Sequence, residues 1–174
     1  LVAAHMGALP QKTSAAVLAI DNRTMQVKAY VGSAKFADDD RLGHVDMIAA
    51  IRSPGSTLKP FLYAMALEDG YIHSESLLVD APQSFDGYRP ANFGEYFNGP
   101  VGAAEALRLS LNVPAVFLLT YVTPKRFAAK LSHVGVALRL PRGAEPNSSL
   151  VLGGAGTNLE ALVGAYAAFA RDGV

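Results

Sequence analysis

The sequence predicts a mixed α+β fold, because an alternating hairpin is followed by several helical segments. The apolar run at residues 15–20 and the alternating segment at residues 25–31 are typical of two strands joined by a polar turn. Helical spacing or capping signals follow near Ser56, Val113 and Leu162. Two strands alone form a marginal sheet, so we expect the complete fold to contain more strands than this sequence supplies.

The hairpin of residues 15–31 is predicted to have one buried face, since Val27, Ala29 and Val31 alternate with polar or larger side chains. Its uncovered edge predicts pairing between copies of the chain, and therefore a homo-oligomer. Beyond the hairpin the pattern becomes irregular. We expect a solvated loop at residues 38–40 and a short helix at residues 45–51.

A buried helix is predicted from Ser56 to about Glu68, directly after the Ser53-Pro54-Gly55 turn. Its apolar residues at helical spacing are Leu58, Phe61, Leu62, Met65 and Ala66. Pro60 falls in or next to the first turn, where a missing N–H costs little. The proline therefore supports this helix boundary.

The second half of the chain is predicted to be a long loop followed by helices. Residues 72–100 are rich in Pro, Gly, Asn and Asp and are interpreted as loop. Helices are expected at residues 103–109 and 113–121, and from a Thr123 cap to Gly135. Thr157 and Glu160 have the spacing of a capping box for a last helix, which is expected to stop at Gly173.

Composition excludes several functional classes. Fifteen Lys and Arg residues balance 15 Asp and Glu residues, which disfavours nucleic-acid binding. The chain has no cysteine and therefore no disulfide or thiolate metal site, and its histidines lack metal-ligand spacing. No apolar run approaches the roughly 20 residues of a membrane helix, so we expect no membrane contact by this chain. Residues 1–6, ending in His5-Met6, are interpreted as a cloning remnant.

Ser56 and Lys59 form the first candidate catalytic pair. Three residues apart at a helix start, they share one face, with β-carbons roughly 5–6 Å apart. A serine hydroxyl is a poor nucleophile until a base removes its proton, and lysine can be that base where burial keeps it neutral. The alternative interpretation, an N-cap serine beside an exposed lysine, is the commoner meaning of this spacing alone.

Ser110 and Asn112 form the second candidate pair. In extended or turn backbone their side chains project to the same side, while Leu111 turns away. A second hydroxyl can relay a proton, and an amide can both donate to and accept from a peptide substrate. On its own, a polar pair that ends a helix before Val113-Pro114 is the simpler explanation.

Together the two motifs resemble the Ser-x-x-Lys and Ser-x-Asn signature of penicillin-binding proteins and serine β-lactamases. The flanking sequence resembles the transpeptidase domain of bifunctional, class A penicillin-binding proteins, in particular the 1C type. The segments that carry this resemblance are Arg52-Ser53-Pro54-Gly55-Ser56-Thr57-Leu58-Lys59-Pro60-Phe61, Tyr88-Arg89-Pro90-Ala91-Asn92-Phe93, Gly99-Pro100-Val101, Glu105-Ala106-Leu107-Arg108-Leu109-Ser110-Leu111-Asn112-Val113-Pro114-Ala115-Val116 and Leu152-Gly153-Gly154-Ala155-Gly156-Thr157. Residues 7–174 are thus expected to be part of such a domain, with an incomplete D,D-peptidase-like fold.

The resemblance implies a function. Ser56 would be the acylated nucleophile, Lys59 its base, Ser110 a proton relay and Asn112 a contact for the substrate amide. Asn92 would line the cleft, although an Asx turn after Pro90 is the simpler explanation for this residue. The implied partners are peptidoglycan stem peptides and β-lactam antibiotics, without a cofactor, at the extracytoplasmic face of a bacterial inner membrane.

One departure from the family qualifies this function. The family carries a Lys-Thr/Ser-Gly strand after the last helix, and no such motif follows Asn112, so the chain by itself is expected to be inactive. Lys12-Thr13-Ser14 lacks the glycine and is interpreted as a polar lead-in to the first strand. Two alternatives remain: a β-lactamase-like hydrolase, and a non-catalytic sensor or scaffold that binds β-lactams or muropeptides.

Overall fold

A computed structural model describes residues 4, 10, 12–94 and 96–173. The strands are β1 (Val17–Ile20), β2 (Val27–Val31), β3 (Leu77–Asp80) and β4 (Gly99–Gly102). The α-helices are α1 (Lys59–Glu68), α2 (Ala103–Arg108), α3 (Asn112–Val122), α4 (Pro124–His133) and α5 (Leu159–Phe169). The predicted α+β class is confirmed. The proposed cloning remnant at residues 1–6 lies outside the described residues, except for Ala4.

The chain divides into two compact units. The first contains residues 1–52, 134–139 and 157–174, and the second contains residues 53–133 and 140–156. Within the described residues, no helix is both long and apolar enough to cross a membrane.

The first unit contains the hairpin and α5. Strands β1 and β2 pair antiparallel as predicted, with Val17 opposite Val31, and α5 contacts β1. The expected buried face is wrong: Val17, Val27 and Tyr30 are all exposed. One helix packed on a two-stranded sheet covers too little surface to bury either face of it.

Two local predictions for the first unit are also wrong. Residues 45–51 form turns, not a helix, because the Asp46 carboxylate accepts a hydrogen bond from the backbone N–H of Ile48 and competes with helical bonding. The cap of α5 is Asn158, whose Oδ1 accepts from the N–H of Ala161 at 2.8 Å. Thr157 instead pairs with Arg52 in a β-bridge, so its backbone is already engaged.

The second unit is built on α1 and α3, which pack together through buried aliphatic side chains. Leu58, directly before α1, and Leu62 and Ala66 within it face the interior as their spacing predicted, and Pro60 lies in the first turn. The interpretation of residues 72–100 as one long loop is wrong where β3 and β4 pair antiparallel, at residues 77–80 and from residue 99. Strand β4 consists of Gly, Pro, Val and Gly, a composition with poor strand propensity, so only pairing with β3 explains it.

Candidate active site

The turn that carries Ser56 is a 3₁₀ segment, Gly55–Leu58, leading directly into α1. Gly153 packs against this turn, and its carbonyl accepts a hydrogen bond from the Ser53 hydroxyl at 2.8 Å. A β-carbon at position 153 would lie 2.7 Å from the backbone nitrogen of Gly55, and Gly153 has a φ of 95°. Only glycine fits there, and the close packing fixes the backbone on which Ser56 stands.

Lys59 is the first residue of α1, and its side chain is only 1% exposed. Its Nζ donates to the Ser110 carbonyl at 2.6 Å, to Asn112 Oδ1 at 2.7 Å and to Ser110 Oγ at 3.2 Å. Burial lowers the pKa of Lys59 from 10.5 to about 8. Roughly one molecule in ten therefore carries a neutral amine at pH 7, and the exposed lysine of the alternative interpretation is wrong.

Ser110 adopts a left-handed backbone conformation, with a φ of 54°. For a residue with a side chain this conformation is strained, and such strain often occurs at functional sites. Here it reverses the chain between α2 and α3 and presents both the carbonyl and the hydroxyl of Ser110 to Lys59. The predicted hydroxyl beside the amine is present.

Asn112 is the first residue of α3, and both the oxygen and the NH₂ group of its side-chain amide form hydrogen bonds. Its Oδ1 accepts from Lys59, and its Nδ2 donates to the carbonyl of Ala91 at 2.6 Å. Its backbone N–H donates to Asn92 Oδ1 at 2.8 Å. Asn112 thus connects the amine of α1 to the segment around Asn92.

Asn92 is buried, with 7% of its surface exposed. Its Nδ2 donates to both carboxylate oxygens of Asp80 at 2.9 Å and to the carbonyl of Tyr96 at 3.0 Å. These bonds, not an Asx turn, hold the side chain. Direct contact between Asn92 and substrate stays a prediction.

These groups converge on one pocket of about 670 Å³ in the second unit. Its described lining residues are Ser56, Ala91, Asn92, Phe93, Gly94, Tyr96, Leu109, Ser110, Leu111 and Asn112. Among the described residues, the Ser56 hydroxyl has no hydrogen-bond partner, while Lys59 is bound to Ser110 and Asn112. The arrangement combines a free hydroxyl, a buried amine, a second hydroxyl and an amide, which are the groups needed for acyl transfer through a serine.

The family model of the penicillin binding protein transpeptidase domain matches residues 15–174. The chain belongs to this family. The sequence is 54% identical to penicillin-binding protein 1C of Escherichia coli over 167 residues, which are 96% of this chain and 22% of the relative. It is 33% identical to penicillin-binding protein 1A of Pseudomonas aeruginosa, over 91% of this chain and 19% of the relative. The resemblance inferred from the motifs is confirmed.

Solved structures of penicillin-binding proteins have the same fold. PonA1 of Mycobacterium tuberculosis, in complex with penicillin V, superposes with a TM-score of 0.78 at 28% identity, over 97% of this chain and 46% of that one. Penicillin-binding protein 1A of Haemophilus influenzae superposes with a TM-score of 0.77 at 25% identity, over 91% of this chain and 23% of that one. The chain thus spans about a fifth of the length of the curated relatives it matches.

The sequence did not identify one residue of the candidate site. Asp80 ends β3 with its side chain fully buried, 0% exposed, and it is hydrogen-bonded to Asn92. Because residues 72–100 were interpreted as loop, an acidic residue there gave no reason to expect burial. The alternation of Leu78 and Asp80 on the inner face of β3 was the available signal.

Proposed function

We propose that the protein carrying this chain is a D,D-transpeptidase, which cross-links peptidoglycan stem peptides through an acyl-enzyme on Ser56. The observation that carries the proposal is the buried Lys59 amine, held by Ser110 and Asn112 behind a pocket whose wall includes Ser56. Family membership supports it. That the 174-residue chain is inactive by itself stays a prediction.

The proposed reaction begins when neutral Lys59 accepts the hydroxyl proton of Ser56. The Ser56 oxygen attacks the carbonyl carbon of the penultimate D-alanine, and the peptide bond to the terminal D-alanine breaks. Ser110, hydrogen-bonded to Lys59, relays the proton to the departing amine. An amine of a second stem peptide then attacks the ester, forming the cross-link and releasing Ser56.

β-Lactams are proposed to acylate the same serine, and the protein is proposed to act at the outer face of the inner membrane. The solved complex of PonA1 with penicillin V supports the first proposal, because the two chains share a fold. The relatives described above are penicillin-binding proteins, and this similarity supports a role in cell-wall synthesis.

Incubation of the full-length protein with a labelled penicillin tests this function. We expect a lasting label, located on Ser56 by peptide mass mapping and absent from a Ser56→Ala variant. Transfer of the acyl group from a stem-peptide substrate to an added D-amino acid is also expected. Rapid release of the label would favour the β-lactamase-like hydrolase, and a lasting label without any transfer would favour the sensor or scaffold.

Pairing between copies is proposed to involve the edges of the β1–β2 hairpin. Within the described part of the chain this sheet has two strands, so each strand has one edge without a strand partner. We expect light scattering on the isolated chain to give a mass that rises with protein concentration. Replacing Tyr30 in β2 with proline should remove this rise, because Tyr30 lies opposite Leu18 with its N–H on the free edge of the strand, and proline cannot donate a backbone hydrogen bond. A constant monomer mass at high concentration would contradict the proposal.

A further inference from the structure

We propose that Asp80 is a positioning residue for the reaction: its buried carboxylate orients Asn92, which orients Asn112, which holds Lys59. This inference rests on the proposed function, since it concerns how the base for Ser56 is kept in place. None of the sequence motifs that carry the family resemblance includes Asp80.

The carboxylate of Asp80 is fully buried and surrounded by N–H groups. It accepts from Asn92 Nδ2 at 2.9 Å on each oxygen, and from the backbone N–H and Nδ2 of Asn98 at 2.9 and 2.8 Å. No Lys, Arg or His among the described residues forms an ion pair with it. A buried charge without a cationic partner is costly, and hydrogen bonds to several donors make it tolerable.

An ionised carboxylate accepts hydrogen bonds and cannot donate them, so it determines which way the Asn92 amide points. The NH₂ group of Asn92 must face Asp80, and its oxygen must then face the N–H of Asn112. The reversed amide would place two oxygens against each other at Asp80 and two N–H groups against each other at Asn112. Asp80 therefore selects one of the two orientations.

The orientation of Asn92 also determines how Asn112 holds Lys59. Asn92 Oδ1 takes up one of the backbone N–H groups that a helix start leaves without an intrahelical partner, here that of Asn112 in α3. Ala91, the neighbour of Asn92, accepts from Asn112 Nδ2, so Asn112 Oδ1 must face the amine of Lys59. Two consecutive residues thus fix both the backbone and the amide of Asn112.

Tyr63 of α1 is a second titratable group influenced by this carboxylate. Burial, with a smaller contribution from the charge of Asp80, raises the pKa of Tyr63 above its usual range. Tyr63 therefore stays neutral throughout the pH range in which Lys59 titrates. Its ionisation does not interfere with a pH profile of Lys59.

The first test compares Asp80→Asn with Asp69→Asn in the full-length protein, using the rate of penicillin acylation as a function of pH. Asp69 lies in the same unit and is paired with Arg126 on the surface, so its substitution removes one carboxylate charge outside the pocket. For Asp80→Asn we expect acylation to slow by about 10-fold or more, because a misplaced Asn112 leaves Lys59 poorly positioned. For Asp69→Asn we expect a rate within about twofold of wild type.

The pH profile separates positioning from loss of stability. Asp80→Asn no longer holds the Asn92 amide in one orientation, which loosens the Asn112 acceptor of Lys59, and loss of this hydrogen bond disfavours the ammonium form of Lys59. The apparent pKa of acylation should therefore move downward, whereas general destabilisation would leave it unchanged. Asn92→Ala should produce the same downward shift, and the double variant should be no worse than the more impaired single variant.

If Asp80→Asn does not fold, the pH profile of Asn92→Ala by itself tests the positioning role. An unchanged apparent pKa in the folded variants, or additive effects in the double variant, would overturn the inference while wild-type labelling at Ser56 still supported the proposed function. Absence of any label on wild-type Ser56 would instead overturn the proposed function, and the inference with it.

Discussion

Replacing Lys59 with methionine is expected to lower the acylation rate of Ser56 by about 10³-fold, within the range typical of a lost general base. Methionine has a similar length and retains the apolar packing of a side chain that is 1% exposed. It lacks the amine that is bound to Ser110 and Asn112. The measurement is the second-order rate constant for a labelled penicillin on the full-length protein.

Two further variants make this prediction specific. Lys59→Arg keeps a cation and several donors but stays protonated at any pH of interest, so we expect a comparable loss. Lys130→Met removes an exposed lysine of α4 that pairs with Glu68 at 3.5 Å, and it should acylate within about twofold of wild type. Circular dichroism establishes that each variant is folded. Near-normal acylation by Lys59→Met would exclude Lys59 as the base.

The rate of acylation is also expected to depend strongly on pH. Only the neutral amine of Lys59 can take the proton, and burial lowers its pKa to about 8. Below that pH the neutral fraction falls about tenfold for each unit, so the acylation rate should drop roughly 100-fold between pH 7 and pH 5. Above about pH 8 the rate should reach a plateau.

Stopped-flow acylation at constant ionic strength measures this profile. Lys59→Met should lose the rise between pH 5 and 8, since the group that titrates is gone. The Asp69→Asn variant should retain it, because Asp69 forms its ion pair with Arg126 on the surface. A rate that is flat or that decreases with rising pH would contradict the assignment of Lys59 as the base.

Local sequence patterns predicted the elements whose structure depends on neighbouring residues. The buried face of α1, its proline in the first turn and the two strands of the hairpin all follow from spacing and alternation. The close approach of Ser56 and Lys59, expected because three residues of helix or turn bring both side chains to one face, stays a prediction. Their flanking motifs then carried the family resemblance.

Elements that depend on distant partners could not be predicted. Strand β4 contains glycine and proline and exists because β3 supplies its hydrogen bonds. The prediction that Thr157 caps the last helix is wrong for the same reason. Thr157 forms a β-bridge with Arg52, and Asn158 caps the helix. In both cases tertiary pairing outweighs a local preference.

The sequence by itself determined the family, the helix α1 that follows Ser56 and begins at Lys59, and the chemical nature of the candidate groups. Only the tertiary structure decided that Lys59 is buried against Ser110 and Asn112, and that Asp80 lies behind Asn92. The physical reason is that the contacts of Lys59 and Asp80 join residues 12 to 53 positions apart. No local pattern encodes such contacts, because they form only when α1, α3 and β3 pack into one unit.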